Sequence, residues 1–275
     1  HKAGKAYVVA TRYKSGDGRP YIYKTEDYGQ TWTEIIDGLP WDSETGNGAY
    51  TRVVREDPVR EGLLFCGTET GLFVSFDDGG LWQPLQLNLP VCPIHDLVVK
   101  DNDLVVATHG RSFWILDDIA PLRQAEADPG DVKLFAPGPT VRFPRPTDFG
   151  PHPPRPGINY SFAGGFIQTY TFEKNDDGTS EVTFIDAGNN PPSGVQLRYW
   201  LKEEPEGTVE LEFLDSEGNV LKRFDSEQSD DKREPSVSKK AGANRFIWNM
   251  QVEGPTPLES SAGAAAFGGV QAGPV

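Results

Sequence analysis

The segment THGRSFW, Thr108–Trp114, sets His109 and Arg111 on either side of Gly110, and PIHDL places His95 a short way before it. An imidazole and a guanidinium in one turn could hold an anionic group or the end of a peptide, because a guanidinium presents five donors in a fixed fork. Glu69 or Asp118 could instead engage Arg111; then His109 is a hydrogen-bonded turn residue and Arg111 a strut between neighbouring elements. His95, His109, Arg111 and Glu69 are therefore the candidate ligand-binding residues. The histidines (His1, His95, His109 and His152) lack metal-ligand spacing, and Cys66 and Cys92 form no Cys-x-x-Cys, so no metal and no cofactor is expected. Cys66, in an apolar run, and Cys92, in a Pro-flanked loop, read as small free side chains inside the protein.

The elements that would carry these residues are repeated. TEDYGQTW (Thr25–Trp32) and SFDDGGLW (Ser75–Trp82) align with Thr25 on Ser75, Asp27 on Asp77, Gly29 on Gly79 and Trp32 on Trp82, with Leu81 in the place of Thr31; the two aspartates are 50 residues apart. Each follows an alternating strand, and each supplies turn chemistry: a carboxylate that can accept backbone N–H bonds and a glycine free to take positive φ. The segments read as hairpin clips whose tryptophans cover the turn and are buried between neighbouring sheets, a structural role that already occupies the aspartates. Their lead-ins agree with one another and with a third copy. AYVVATRY, GLLFCGTETGLFVSFDD and DLVVATHGRSFWILDD each run from an apolar strand through a Thr and a turn into an aromatic-rich strand. A period near 50 residues suits a four-stranded propeller blade. The third copy ends at Asp117-Asp118 without the closing Gly and Trp, as terminal repeats do.

With 275 residues, 30 Gly, 23 Pro and no long stripe of helical period, the chain reads as all-β and as about two domains. A net charge of −15 argues against a nucleic-acid partner, and no apolar run is long enough for a membrane span. Residues 1–120 hold the repeats, and 121–156 form a Pro-rich linker with a short strand in Asp131–Pro137. Residues 157–254 resume strands at sandwich spacing, and 255–275 are a Gly/Ala-rich tail. Within 157–254 Val209, Leu211 and Phe213 alternate with charged residues, Asp215–Asn219 turn, and Val220, Leu221 and Phe224 return, so that one face is buried and one is wet. An opening at His1 and a close at GGVQAGPV read as cuts through a longer polypeptide.

TEDYGQTW fits Ser/Thr-x-Asp-x-Gly-x-Thr-Trp and so resembles the Asp-box, or bacterial neuraminidase repeat. Residues 48–123 are similar to the C-terminal part of large secreted bacterial sortilin-like proteins, often named glycosyl hydrolases. KAGANRFIWNM (Lys240–Met250) looks like the closing element of bacterial immunoglobulin-like and fibronectin-type modules. The resemblance implies a partial β-propeller followed by an immunoglobulin/fibronectin-like β-sandwich, and a secreted, periplasmic or cell-surface location. It implies a propeller face that binds a peptide, a glycan or a sister subunit, and an open propeller edge covered by the rest of the polypeptide or by that subunit. It also carries an enzymatic alternative, a glycoside hydrolase with most catalytic residues outside this chain. A sialidase-type site needs an arginine triad, a Tyr–Glu pair and an acid: Arg12, Arg52, Arg55, Arg111, Tyr13, Glu69 and Asp117 are the available types, but the Arg-Ile-Pro motif is absent. A xyloglucanase-type site needs two carboxylates about 6.5–9.5 Å apart. Binding is the leading expectation.

Overall fold

The computed structural model describes residues 2–42, 44–140, 157–163, 166–174, 180–185, 194–227, 235–252 and 273–274. His1, His152 and the Pro-rich stretch 141–156 lie outside the described residues, as does the Gly/Ala-rich tail apart from Gly273–Pro274.

The chain is all-β, with one five-residue helix and a single 3-10 turn among the described residues. Three small antiparallel sheets follow one another at its start. The first is β1 (Ala6–Arg12), β2 (Asp17–Thr25) and β3 (Thr33–Glu34), in that order. The second is β4 (Thr51–Glu56), β5 (Leu64–Thr68), β6 (Leu72–Ser75) and β7 (Gln83–Pro84). The third holds β8 (Ile94–Lys100), β9 (Asp103–Thr108) and β10 (Phe113–Leu116). The repeat is visible in the hydrogen bonds. Gly29 and Gly79 N–H donate to Thr25 and Ser75 Oγ, both at 2.9 Å, and the N–H groups of Thr31 and Leu81 donate to the Asp27 and Asp77 carboxylates, again both at 2.9 Å. Ile35 N–H reaches Ile22 O at 3.0 Å as Leu85 N–H reaches Leu72 O at 2.9 Å. Gly29 and Gly79 take φ of 85° and 88°, which a residue with a Cβ would resist. By this alignment β1, β2 and β3 correspond to β5, β6 and β7, and β8, β9 and β10 to β4, β5 and β6. Among the described residues the first sheet lacks a counterpart of β4.

Neighbouring sheets bury their faces against each other as successive propeller blades do. Ile22, Ile35 and Leu39 of the first pack with Val54, Leu64, Cys66, Phe73 and Trp82 of the second. On the second sheet's other face Val53, Phe65, Leu72 and Val74 pack with Ile94, Leu97, Leu104 and Val106 of the third. Trp82 is 2% exposed, and its indole N–H donates to Ile35 O at 2.8 Å, across to the preceding sheet. Trp32 departs from the expectation of burial: it is 44% exposed and its N–H donates to Gly29 O of its own turn. The reason is positional, since no sheet precedes the first among the described residues. Both cysteines are free and buried, and burial pushes the Cys66 thiol up.

Helix α1 (Ala120–Gln124) closes the array, with Pro121 in its first turn. Arg123 donates to Asp57, which is 0% exposed, at 2.8 Å and to Asn102 Oδ1 at 2.6 Å, while Arg60 donates to Leu122 O and Ala125 O at the helix end. The chain separates into two compact units. One comprises His1–Gly138 with Arg198–Glu204 and Lys240–Asn244; the other comprises Pro139–Leu197, Pro205–Lys239 and Arg245–Val275. In the first, β11 (Val132–Phe135) pairs with residues 198–201. The second contains an antiparallel sheet of β12 (Tyr160–Ala163), β13 (Phe166–Lys174) and β14 (Ser180–Phe184). Strand β15 (Val195–Leu201), the hairpin of β16 (Glu210–Leu214) and β17 (Val220–Asp225), and β18 (Gly242–Trp248) follow. Phe213 lies 4.2 Å from Trp248, and Phe224 4.8 Å from Phe246, between ring centroids, so the hairpin packs face to face with β18 as sandwich layers do. Asp215 caps the hairpin turn through Asn219 N–H at 2.8 Å, and Val220, at the start of the returning strand, is exposed.

Candidate functional site

The turn after β9 is built by Thr108. Its hydroxyl donates to Ser112 O at 2.6 Å and accepts from Arg111 N–H at 3.1 Å, with Gly110 at φ 82°. Thr68 does the same work after β5, where it donates to Gly71 O at 3.0 Å and accepts from Gly71 N–H at 3.1 Å. A shared threonine therefore throws two loops, Glu69–Gly71 and His109–Ser112, out from corresponding places in adjacent repeats. Loops set this way on rigid sheets are where binding residues concentrate.

The starts of β4 and β8 add two side chains by a common device. The register of β4 on β5 slips between Thr51 and Val53, and that of β8 on β9 slips between Ile94 and Asp96. Each slip is a β-bulge. The extra residues are Arg52 and His95, at the same position of two repeats, and a bulge turns its side chain away from the ladder.

These pieces meet. The rings of His95 and His109 stack at 4.8 Å between centroids. Arg52 donates through Nε to Glu69 at 2.8 Å and through Nη2 to Tyr50 Oη at 2.8 Å, and Tyr50 stacks on Tyr13 at 4.9 Å. Strands β4 and β8, which carry Arg52 and His95, lie against each other; partial desolvation, then the positive charge of Arg52 and His109, lowers the His95 pKa. Glu69 N–H donates to Tyr50 O at 3.1 Å and His109 N–H to Pro93 O at 2.8 Å, so both loops are tied to the strand starts beside them. The result is a ridge running Tyr13, Tyr50, Arg52–Glu69, His95, His109.

Three of the four residues singled out in the sequence, Glu69, His95 and His109, are thus brought together. Arg111 sits on the same turn as His109, exposed, with no ion pair among the described residues. Among the described residues Glu69 pairs with Arg52 at 2.6 Å and Asp118 with Arg198 at 3.6 Å rather than with Arg111. The structural residues Thr25, Asp27, Gly29, Thr31, Ser75, Asp77 and Gly79 lie in the hairpin turns, where Thr31 hydrogen bonds pull the Asp27 carboxyl down to about 2. Tyr50 was missed by sequence reasoning, and the repeat gave no signal for it, since Pro93 holds the equivalent place before β8.

Of the residue types required for a sialidase-type centre, Tyr13, Arg52, Glu69 and Arg111 belong to the ridge, and the others are engaged or placed elsewhere. Arg12 pairs with Asp17 and Arg55 with Asp96, and Asp117 follows the far end of β10 from the His109 turn. Partial burial, with Asp103 beside it, raises the Asp117 pKa. Glu69 is a bound acceptor. What the ridge offers is flat aromatic and imidazole surface beside one paired and one unpaired guanidinium, an arrangement suited to recognition.

No protein-family model and no curated protein matches the sequence. Among solved structures the chain is similar to YCF48 bound to D1 peptide, with 20% identity and a TM-score of 0.26 over 36% of this chain and 31% of that one. It is also similar to an ancestral GH74 enzyme, with 12% identity and a TM-score of 0.29 over 82% of this chain and 37% of that one. The chain spans about a third of the length of each of these proteins.

Proposed function

We propose that this chain is a binding module, part of an Asp-box propeller of the sortilin-like kind at work outside the cytoplasm, and that the ridge from Tyr13 to Arg111 is its ligand face. The observation that carries the reading is the paired bulge. Arg52 and His95, turned out of the ladder at the same place in two repeats, join Glu69 and His109 from the two Thr-built loops. The ligand class that suits this surface is an acidic peptide or an acidic glycan: planar groups lie on the Tyr13–Tyr50 and His95–His109 stacks, and Arg111 supplies an unpaired cation at the edge.

The test is binding of immobilised acidic and charge-neutralised peptide and glycan libraries by the chain and by two variants. Arg111→Ala is expected to weaken acidic ligands by roughly tenfold or more, which corresponds to about 1.4 kcal/mol, with unchanged melting. Asp77→Ala is expected to lower stability without selective loss of binding, because Asp77 serves its own turn. Equal retention of acidic and neutralised ligands, or a melting loss in Arg111→Ala with binding intact, would overturn the reading.

A further inference from the structure

The first sheet presents a face that its neighbour's counterpart does not leave bare. Val8 pairs with Tyr23 in the first sheet as Cys66 pairs with Phe73 in the second. Trp32 stands where Trp82 stands, so Val8, Tyr23 and Trp32 are the equivalents of Cys66, Phe73 and Trp82. In the second sheet that face is buried under Ile22, Ile35 and Leu39 of the preceding sheet. In the first it lines an open apolar groove of about 340 Å³, with Val8 and Trp32 each more than two-fifths exposed. At the other end of the array Val98, Phe113 and Ile115 of the third sheet are exposed, Phe113 at 74%. Ile115 pairs with Val105 and Phe113 with Ala107 on the side opposite Leu104 and Val106, which face the second sheet. The two bare flanks are therefore the two halves of the one inter-sheet interface that the array uses internally.

We infer that the Val8–Tyr23–Trp32 face is covered by a further repeat of this kind and that the free edge of β1 is paired by the first repeat's own β4-type strand, both from the same polypeptide and both before β1 in chain order. The missing strand decides the source. In the second and third sheets the first strand, β4 or β8, precedes its partner in the chain and pairs along its edge. Strand β1 has a single strand neighbour, β2, and its other edge is unpaired among the described residues; an unpaired edge is a template for another strand. A second copy of this chain could lay its Phe113–Ile115 flank on the groove, but among the described residues it has no spare strand of the β4 type to fill that edge. Preceding chain of the same polypeptide supplies both. The edge strand should carry an aliphatic residue beside Val8, as Val54 stands beside Cys66.

This inference rests on the repeat and on no ligand, so its test reads none. In the polypeptide as its gene encodes it, Trp32 is replaced by the photo-cross-linking residue p-benzoylphenylalanine, irradiated at high dilution, and the adduct mapped. The expected product is an intrachain link to a strand-patterned segment upstream of Lys2. Interchain links to a second copy, no link, or an encoded polypeptide without an upstream repeat overturn the inference. Because the bulky residue could disturb the fold, Val8→Cys is labelled with iodoacetamide in parallel. At least tenfold slower labelling in the encoded polypeptide than in residues 1–275 is expected, and equal rates overturn the inference.

Discussion

Trp82→Ala and Trp32→Ala are the same substitution at the same position of two repeats, and the structure separates their costs. The Trp82 ring is 2% exposed among Ile22, Ile35 and Leu39, and its N–H satisfies Ile35 O. Truncation leaves a cavity that the flanking sheets cannot close, a loss of about 3–5 kcal/mol, with roughly 1 kcal/mol of that range attributable to the missing hydrogen bond. Trp32 is 44% exposed and bonds only within its own turn. About half the burial of a large apolar side chain is at stake, or roughly 1 kcal/mol at the usual transfer value, with no cavity because water fills the space. A gap of about 2–4 kcal/mol should therefore open between the two variants of the 275-residue chain. Urea unfolding followed by far-UV circular dichroism measures it, since fluorescence would be altered by removing either indole, and unchanged slopes would show that the unfolded state is not responsible. Costs equal to within about 0.5 kcal/mol, the error of such comparisons, would mean that Trp32 is sheltered after all and that the first flank is not open.

Arg123→Met should destabilise by about 3–5 kcal/mol in the same assay, because it strips the guanidinium from the fully buried Asp57. The Asp27 carboxyl, held near 2 by the Thr31 and Thr25 bonds, binds fewer protons in the folded state than in the unfolded one, so its contribution is complete above about pH 4 and is lost as pH falls towards 2; Asp27→Asn should flatten that acid limb of the melting curve. His95 should titrate below the ordinary histidine value by proton NMR, because desolvation and then Arg52 and His109 oppose its charge, and His109→Ala should move it upwards. The sign for folding is that the unfolded chain takes up the proton first, so any contribution of His95 is complete above about pH 6.5 and declines as pH falls through its folded pKa.

The fold was legible wherever a residue's role was local. Thr25, Asp27 and Gly29 determine their turn through bonds spanning no more than four residues, and the 50-residue period announced that Ser75, Asp77 and Gly79 would repeat it. Trp32 was misread because its burial depends on a neighbouring sheet, which the local pattern cannot report. The ridge was half legible: an exposed turn holding His109 and Arg111 can be recognised from Gly110, whereas the bulges at Arg52 and His95 arise from strand register. Nor could the sequence show that Glu69 would pair with Arg52 and leave Arg111 unpaired, since those choices depend on distances between repeats.

The repeats also serve as an internal control on which positions carry function. Where a side chain builds the turn, its chemistry is shared: Thr25 and Ser75, Asp27 and Asp77, Thr68 and Thr108 each place an oxygen in the same bonds. Where geometry is shared and chemistry is not, the fold makes no demand on the side chain. Arg52 and His95 occupy the same bulge, and Glu69 and His109 directly follow the same threonine, yet within each pair the charge and shape differ. A scaffold that holds position while letting chemistry vary can adapt a recognition surface without altering its strands. Exchanging the residues within a pair, Arg52→His with His95→Arg, should accordingly leave urea stability within about 0.5 kcal/mol of the parent, the range of surface changes that disturb no buried group, while redistributing preference among acidic ligands. A loss of several kcal/mol would place Arg52 or His95 in the framework and remove the ridge's claim to be a surface free to specialise.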